Sequence, residues 1–266
     1  MLGIGLGLSI KDFTRILKYP KDFFVGFICQ LILLPIVAFS VAISLNLPTP
    51  IAIGLMIIAA APGGVTSNVL TKFANGNVAI SITLTAVVSL LSILLVPFIV
   101  ITSATLLDVT ISTDNSMIGI ALKMELVVTE PVIIGMIIRS FTENFTSSKI
   151  NIINKLTGWL FVFVFAVIWL EEKDNIFTYL VQAGLAVLIL NVVMMTLAYF
   201  IAKKFVSGIP QQKCIALECG LQNGTLAVFV ATLIFDDITY VVPTGAYALL
   251  MYITGFIFIY ILRKSN

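Results

Sequence analysis

Glu218 is an acidic side chain in an otherwise apolar stretch, with Gln222 one helical turn farther along the chain and Asn223 next to it. Within a membrane span a carboxylate costs at least about 2.5 kcal/mol, so it needs a compensating partner. The sequence provides no intramembrane Lys or Arg nearby, because Lys123 stands alone near the outer end of its own apolar run. A bound cation or a proton is therefore the expected partner of Glu218.

Neutral oxygen donors that can complete a cation site occur in two other stretches. Ser67 and Asn68 are adjacent, whereas Ser81 and Thr85 are four residues apart and share one face of a helix. Oxygen ligands without thiols favour hard cations, and one carboxylate among neutral oxygens suits a monovalent ion better than calcium. The pattern therefore predicts a sodium site. Each hydroxyl taken alone is also explained by a hydrogen bond to its own helix or across a helix interface.

Composition excludes several other kinds of site. The chain has no His, and its three cysteines, Cys29, Cys214 and Cys219, lie in apolar runs without CxxC spacing, so neither a zinc site nor a disulfide framework is indicated. Of its 266 residues, 60% are hydrophobic and 11% are charged, with a formal net charge of +2. This is the composition of a membrane protein, and it provides no basic surface for nucleic acid. The glycine run at residues 3–7 lacks a preceding strand, so no organic cofactor is expected either.

The apolar runs predict an all-α multi-pass protein with one partial and eight complete membrane spans. The partial span is Met1–Ile10, too short for the roughly 20 residues that a span needs, and we interpret it as half of a helix, shortened by a late gene start or by truncation. Loops alternate between basic and acidic, so the positive-inside rule places the C-terminus in the cytoplasm. We expect the chain to lie in the plasma (inner) membrane. The complete spans are Phe23–Leu45, Ile51–Ala74, Val78–Ile101, Met117–Ile138, Leu156–Leu170, Ile176–Ala202, Cys214–Phe235 and Thr239–Leu262.

Two of these spans are interrupted at matching places in the two halves of the chain. The first interruption covers residues 62–68 and begins with Pro62-Gly63-Gly64, and the second covers residues 218–224. Pro removes a backbone donor and Gly weakens a helix by about 1 kcal/mol, so the freed backbone groups must face protein or water. Ordinary kinks would also explain the breaks, but matched interruptions with polar residues indicate an inverted-repeat secondary transporter. We predict a first repeat over residues 1–112 and a second over residues 113–266.

The residues around both breaks resemble the two signature regions of the bile acid:sodium symporter family. The similar stretches are Pro62–Val69, Gly76–Ser81 and Glu218–Gly224, and the likeness extends from Lys11 to the carboxyl end. The resemblance implies inverted five-helix repeats that form a panel domain and a core domain, with the broken helices crossing in the core. It implies a carrier and no enzyme, in which sodium drives symport of an organic anion by alternating access. Bile acids and small carboxylates such as pantoate are the substrates that it suggests.

The resemblance also implies ligands by position. The first sodium site would use Ser67, Asn68, Ser81, Thr85 and Glu218. The second would use Gln30, Glu218, Gln222 and the backbone carbonyls of Cys219 and Leu221. The substrate's anionic group would face Asn223 and the helix-end amides near Val65 and Thr66, as half-helix N-termini often do.

Glu130 is a second carboxylate in the middle of a predicted span, and this assignment gives it no role. It follows Lys123 by seven residues, which is two helical turns, so the two side chains can pair if they share a face. A buried protonated carboxyl, or a carboxylate in an aqueous cavity, explains it equally well.

Three other functions remain open. A proton-coupled or arsenite-type carrier of a related inverted-repeat family would protonate Glu218 or Glu130, although residues 62–68 contain no thiol of the kind that arsenite carriers use. An intramembrane enzyme would need a nucleophile with a base, or a metal, and neither HExxH nor GxSxG occurs. A non-transporting scaffold would have no use for a costly buried polar cluster. The sequence does not indicate an oligomeric state.

Overall fold

The computed structural model describes residues 1–17, 20–109, 116–142 and 176–264, with isolated positions between 152 and 166. The predicted span Leu156–Leu170 and the acidic loop after it lie outside these ranges. The helices of the described ranges are α1 (Leu2–Gly7), α2 (Ile10–Thr14), α3 (Pro20–Ile28), α4 (Leu34–Ser44), α5 (Thr49–Ala60), α6 (Val65–Phe73), α7 (Val78–Leu106), α8 (Met117–Met124), α9 (Glu130–Phe141), α10 (Ile176–Phe205), α11 (Ile209–Gly220), α12 (Gly224–Ile234) and α13 (Val242–Lys264).

Within the described residues, four helical stretches are long and apolar enough to cross a membrane: Pro20–Ser44, Val78–Leu106, Ala183–Phe205 and Ile238–Arg263. Their outer faces carry exposed large apolar side chains, among them Phe98, which suit contact with lipid rather than water. The prediction of an all-α protein that crosses the membrane several times is confirmed. The division into two inverted repeats stays a prediction.

Short π-helical turns interrupt two of the predicted spans. Cys29–Leu33 separates α3 from α4, and Glu125–Thr129 separates α8 from α9. A π turn carries an extra residue per turn and changes which side chains share a face, and such turns are frequent at functional sites. Gln30 lies in the first of these turns.

Both interrupted spans break as predicted, but over fewer residues. The first is non-helical from Ala61 to Gly64, because the proline at position 62 forces Ala61 into an extended conformation. Helix α6 already begins at Val65, so most of the predicted 62–68 interruption is helical. The second span is non-helical only at residues 221–223, because the chain remains helical through Gly220.

The half-helices that lead into the breaks are enclosed by the rest of the protein. Every residue from Ile51 to Ala60 in α5 is buried, and so is every residue from Gln212 to Gly220 in α11. Helix α5 packs against α4, α7 and α13, while α11 packs against α3, α6, α7 and α10. Since irregular backbone inside a membrane is tolerated only against protein or water, this enclosure allows the chain to unwind there.

Candidate cation site at the two helix breaks

The two breaks lie directly against each other. Asn223 donates its backbone N–H to the carbonyl of Pro62 over 2.8 Å, and Gly63 forms an isolated antiparallel bridge with Gln222. Each break therefore satisfies backbone groups that the other leaves without helical partners. This pairing brings the residues beside the first break into contact with those beside the second.

Glu218 is the centre of this arrangement and is 0% exposed. Ser67 on α6 donates its hydroxyl to Glu218 Oε1 over 2.5 Å, although the two residues are 151 positions apart. Ser81 on α7 also donates to Oε1, and Thr85 donates to Oε2 over 3.0 Å. Three hydroxyls from two helices thus converge on one carboxylate, and the predicted common face of Ser81 and Thr85 is confirmed.

The hydroxyls remain able to bind a cation. A hydroxyl that donates its one hydrogen keeps its oxygen lone pairs, so each of these oxygens can still face a positive ion. Ser67 is also 2.7 Å from the carbonyl of Gly64, so the alternative of a bond to its own helix start applies to it in part. Oxygens of this kind around a single carboxylate form a donor set that fits sodium.

Asn68, the fifth predicted ligand of the first site, lies one residue beyond Ser67. Its side-chain Oδ1 is buried and has no hydrogen-bond partner among the described residues. A buried carbonyl oxygen without a partner is costly, and a bound cation would remove that cost. The structure thus brings Ser67, Ser81 and Thr85 into contact with Glu218, whereas Asn68 lies next to this group without a hydrogen bond to Glu218. The role of these residues as sodium ligands stays a prediction.

The second predicted site contains two more buried amides. Gln30 is 2% exposed, and neither its oxygen nor its nitrogen has a partner in the described part of the chain. Gln222 donates its Nε2 to the carbonyl of Cys219 over 3.0 Å, which leaves its own Oε1 without a partner. The π turn that carries Gln30 packs against α11, and Cys29 in that turn contacts the Cys219 side chain. The unpartnered amide oxygens of Gln30 and Gln222 also suit a hard cation.

The residues predicted to bind the substrate's anionic group lie where two half-helices begin. The Asn223 side chain caps α12 by accepting the N–H of Leu226 over 3.1 Å. Val65 and Thr66 lie in the first turn of α6. A Cβ on Gly64, the residue before them, would lie 3.9 Å from the Asn223 Cα. Helix N-termini carry partial positive charge and unpaired N–H groups, which is the usual setting for an anion.

A cavity of about 220 Å³ opens between α1, α6 and α7. Its wall includes Val65, Asn68 and Thr85, so it reaches the first predicted sodium site, and Lys72 also lines it. Lys72 is four residues after Asn68 and therefore on the same face of α6. The cavity thus joins the cation site to a positive side chain. The sequence did not reveal this feature, because in the sequence Lys72 serves only as one of the basic residues that indicate the membrane orientation.

Glu130 does not belong to this site. Glu130 is exposed at the start of α9. Lys123 lies in α8, on the other side of the π turn, and is also exposed. No ion pair joins the two side chains in the described residues. The interpretation of Glu130 as a buried carboxyl is wrong. The sequence could not reveal this, because an apolar run does not show which of its faces packs inward.

Sequence reasoning missed Asn191, an amide in the middle of an apolar span. The residue is buried and hydrogen-bonded to the carbonyl of Gly220, at the end of the half-helix that carries Glu218. A lone amide in such a span is a signal that can be read, since polar side chains inside membrane helices usually bond across helices.

Comparisons with known proteins identify the family to which the chain is similar. The model of the Sodium Bile acid symporter family matches residues 1–179. An uncharacterized sodium-dependent transporter, YocS, of Bacillus subtilis is 29% identical over 259 residues, which cover 96% of this chain and 78% of the relative. The probable chloroplastic sodium/metabolite cotransporter BASS2 of rice is 29% identical over 96% of this chain and 60% of its own length. The human ileal sodium/bile acid cotransporter is 28% identical over 88% of this chain and 67% of its own length.

These relatives are named as transporters and cotransporters, in agreement with a carrier and not an enzyme. The chain spans less than two thirds of the length of the rice relative. The family model covers more than half of this chain and includes the first break. The chain belongs to the sodium bile acid symporter family.

Proposed function

We propose that this protein is a sodium-coupled symporter of small organic anions that works by alternating access. The observation that supports the proposal is the fully buried Glu218, which holds hydroxyls from α6 and α7 beside two touching helix breaks. Such a cluster is costly in a membrane unless it binds something, and its donor set suits a monovalent hard cation.

In this proposal sodium links the two broken spans. The ion draws the oxygens of Ser67, Ser81 and Thr85 onto the same centre as Glu218, so α6, α7 and α11 are fixed relative to each other. The N-termini of α6 and α12 are fixed at the same time, and they form the anion site at Asn223 and Thr66. Coupling then follows because sodium favours the conformation that binds the anion, and a ligand shifts an equilibrium only through such differential affinity.

A second sodium ion at Gln30 and Gln222 makes transport electrogenic. Two sodium ions with one monovalent anion carry one net positive charge inward. In this orientation the basic loops face the cytoplasm and the protein lies in the plasma membrane. Moving one net positive charge inward then releases about 2.3 kcal/mol per 100 mV of membrane potential. The potential therefore assists uptake as well as the sodium gradient.

We infer a small carboxylate rather than a bile acid as the substrate from this cavity, whose wall includes Val65 of the predicted anion site but neither Thr66 nor Asn223. Its volume of about 220 Å³ is below the roughly 300–1,000 Å³ of typical pockets for drug-sized ligands. Lys72 in its wall provides a positive charge for a carboxylate. A pantoate-like acid fits these features better than a sterol does.

Uptake into proteoliposomes tests the proposal. The purified chain is reconstituted, and a panel of labelled small carboxylates and bile acids is offered under an inward sodium gradient, a potassium gradient or a proton gradient. We expect concentrative uptake of a small carboxylate with sodium alone, and its loss in Glu218→Ala. Uptake driven by protons without sodium would replace this proposal with the proton-coupled carrier, and sodium-independent uptake by Glu218→Ala would refute it.

A further inference from the structure

A buried polar network lies beside the proposed sodium ligands without including any of them. Asn191 on α10 is 1% exposed and donates its Nδ2 to the Gly220 carbonyl over 2.6 Å and to the Tyr247 hydroxyl over 3.1 Å. Tyr247 on α13, also fully buried, donates its hydroxyl to the same Gly220 carbonyl over 3.0 Å. Two side chains from two different helices therefore converge on one backbone oxygen.

Thr254 fixes the orientation of this amide. Its hydroxyl donates to Asn191 Oδ1 over 2.5 Å, so the Asn191 nitrogen is directed to Gly220 and its oxygen to Thr254. Thr254 lies seven residues, or two turns, after Tyr247 and so on the same face of α13. Every polar group of the Asn191 side chain thus has a partner, as a buried network requires if it is not to destabilise the fold.

Gly220 also packs closely against α10, the helix that carries Asn191. A Cβ on Gly220 would overlap the side chain of Met195, which lies one turn after Asn191 on α10. Gly220 ends α11, where the last carbonyls of a helix lack intrahelical partners. Packing on one side and two hydrogen bonds on the carbonyl therefore hold the backbone at the point where the helix stops.

The residues on either side of Gly220 are those whose carbonyls belong to the proposed second sodium site. Cys219 precedes Gly220 and Leu221 follows it in an extended conformation. The bonds from Asn191 and Tyr247 hold the Gly220 carbonyl toward α10 and α13. The same restraint sets the directions of the flanking peptide groups, whose orientation follows from the backbone angles around Gly220.

We propose that Asn191, Tyr247 and Thr254 are positioning residues that set the sodium affinity of the second site through the backbone at Gly220. None of the three touches the ion in this scheme. The inference rests on the proposed function, since it requires that the flanking carbonyls bind sodium. A purely structural role would instead lower the thermal stability of the protein and leave its sodium dependence unchanged.

The test compares Tyr247→Phe with Tyr252→Phe in the proteoliposome uptake assay. Both changes remove one hydroxyl from the same helix, but Tyr252 is exposed whereas Tyr247 is buried. Three quantities are measured for each variant: the sodium concentration for half-maximal uptake, the KM for the anion at saturating sodium, and the Tm in detergent. We expect Tyr247→Phe to raise the half-saturating sodium concentration about 2- to 10-fold, the effect of one hydrogen bond. The KM at saturating sodium is expected to stay at the wild-type value, as is every quantity for Tyr252→Phe.

Two variants at position 254 give an independent check. Thr254→Val removes the hydroxyl that orients Asn191, whereas Thr254→Ser keeps it, so the weakened sodium dependence is expected in the valine variant only. The inference is overturned if the wild-type protein shows sodium-driven uptake and both Tyr247→Phe and Thr254→Val keep the wild-type sodium dependence. Sodium-independent uptake by the wild type would instead remove the proposed function, and the inference with it.

Discussion

Gly63→Ala is a small change that is predicted to act directly on the carboxylate at the centre of the site. A Cβ on Gly63 would lie closer than 3.0 Å to Glu218 Oε2 and 3.3 Å from both Glu218 Cδ and Ser67 Oγ. No glycine in the described residues has a positive φ, so alanine does not strain the backbone at this position. The substitution therefore tests the space needed by the carboxylate rather than the shape of the break.

The size of the effect follows from the displacement. To restore an ordinary contact of 3.4–4 Å, the Glu218 carboxylate must withdraw by roughly 1 Å. Ser67 is now 2.5 Å from Oε1, so the withdrawal breaks this bond or an equivalent one. A hydrogen bond to a charged group contributes about 1.5–3 kcal/mol, so we expect the sodium affinity to fall roughly 10- to 150-fold.

Gly64→Ala is the matched control. Its added Cβ would lie 3.5 Å from Thr66 Oγ1 and 3.9 Å from the Asn223 Cα, which are ordinary contacts. Both variants are assayed for the sodium concentration that gives half-maximal uptake in proteoliposomes. We expect a large increase for Gly63→Ala and little change for Gly64→Ala. Equal sodium dependence in the two variants would refute the reasoning that Gly63 makes room for Glu218.

Three further changes separate the ion sites from the anion site. Gln30→Leu removes an unpartnered buried amide, and we expect the Hill coefficient for sodium to fall toward one while uptake persists; an unchanged coefficient would exclude Gln30 as a ligand. Lys72→Gln is expected to raise the KM for a carboxylate and to leave sodium binding without substrate unchanged, as measured by thermal shift. Asn223→Asp keeps the cap on Leu226 but adds a negative charge. We expect uptake of anions to fall at least tenfold with little loss of Tm, and normal uptake would place the anion elsewhere.

Part of the candidate site could be predicted from the sequence because it depends on local spacing. The four-residue separation of Ser81 and Thr85 gives a common face in any helix, and both hydroxyls do bond Glu218. The proline at position 62 likewise marks the first break, since it forces the residue before it out of the helical region. The second break is shorter than predicted because glycine, unlike proline, does not prevent a helix from continuing through Gly220.

The rest of the site depends on tertiary packing that no local pattern contains. The contact of Gly63 with Glu218 joins segments more than 150 residues apart, and it exists only because the two breaks pair. Gln30 reaches this region through a π turn, which hydrophobic periodicity does not predict. Asn191 was visible as a polar residue in an apolar span, but its partners on α11 and α13 were not.

Sodium-dependent stabilisation of Glu218→Gln tests the central claim most directly. Glutamine keeps the shape of the side chain and removes its charge. A ligand that binds only the folded protein stabilises it by about 2.7 kcal/mol at one hundred times its Kd, so saturating sodium is expected to raise the Tm of the wild type. Potassium at the same ionic strength provides the control. The account predicts that sodium stabilises the wild type and has no specific effect on Glu218→Gln. Equal stabilisation of both proteins by sodium over the same concentration range would contradict it.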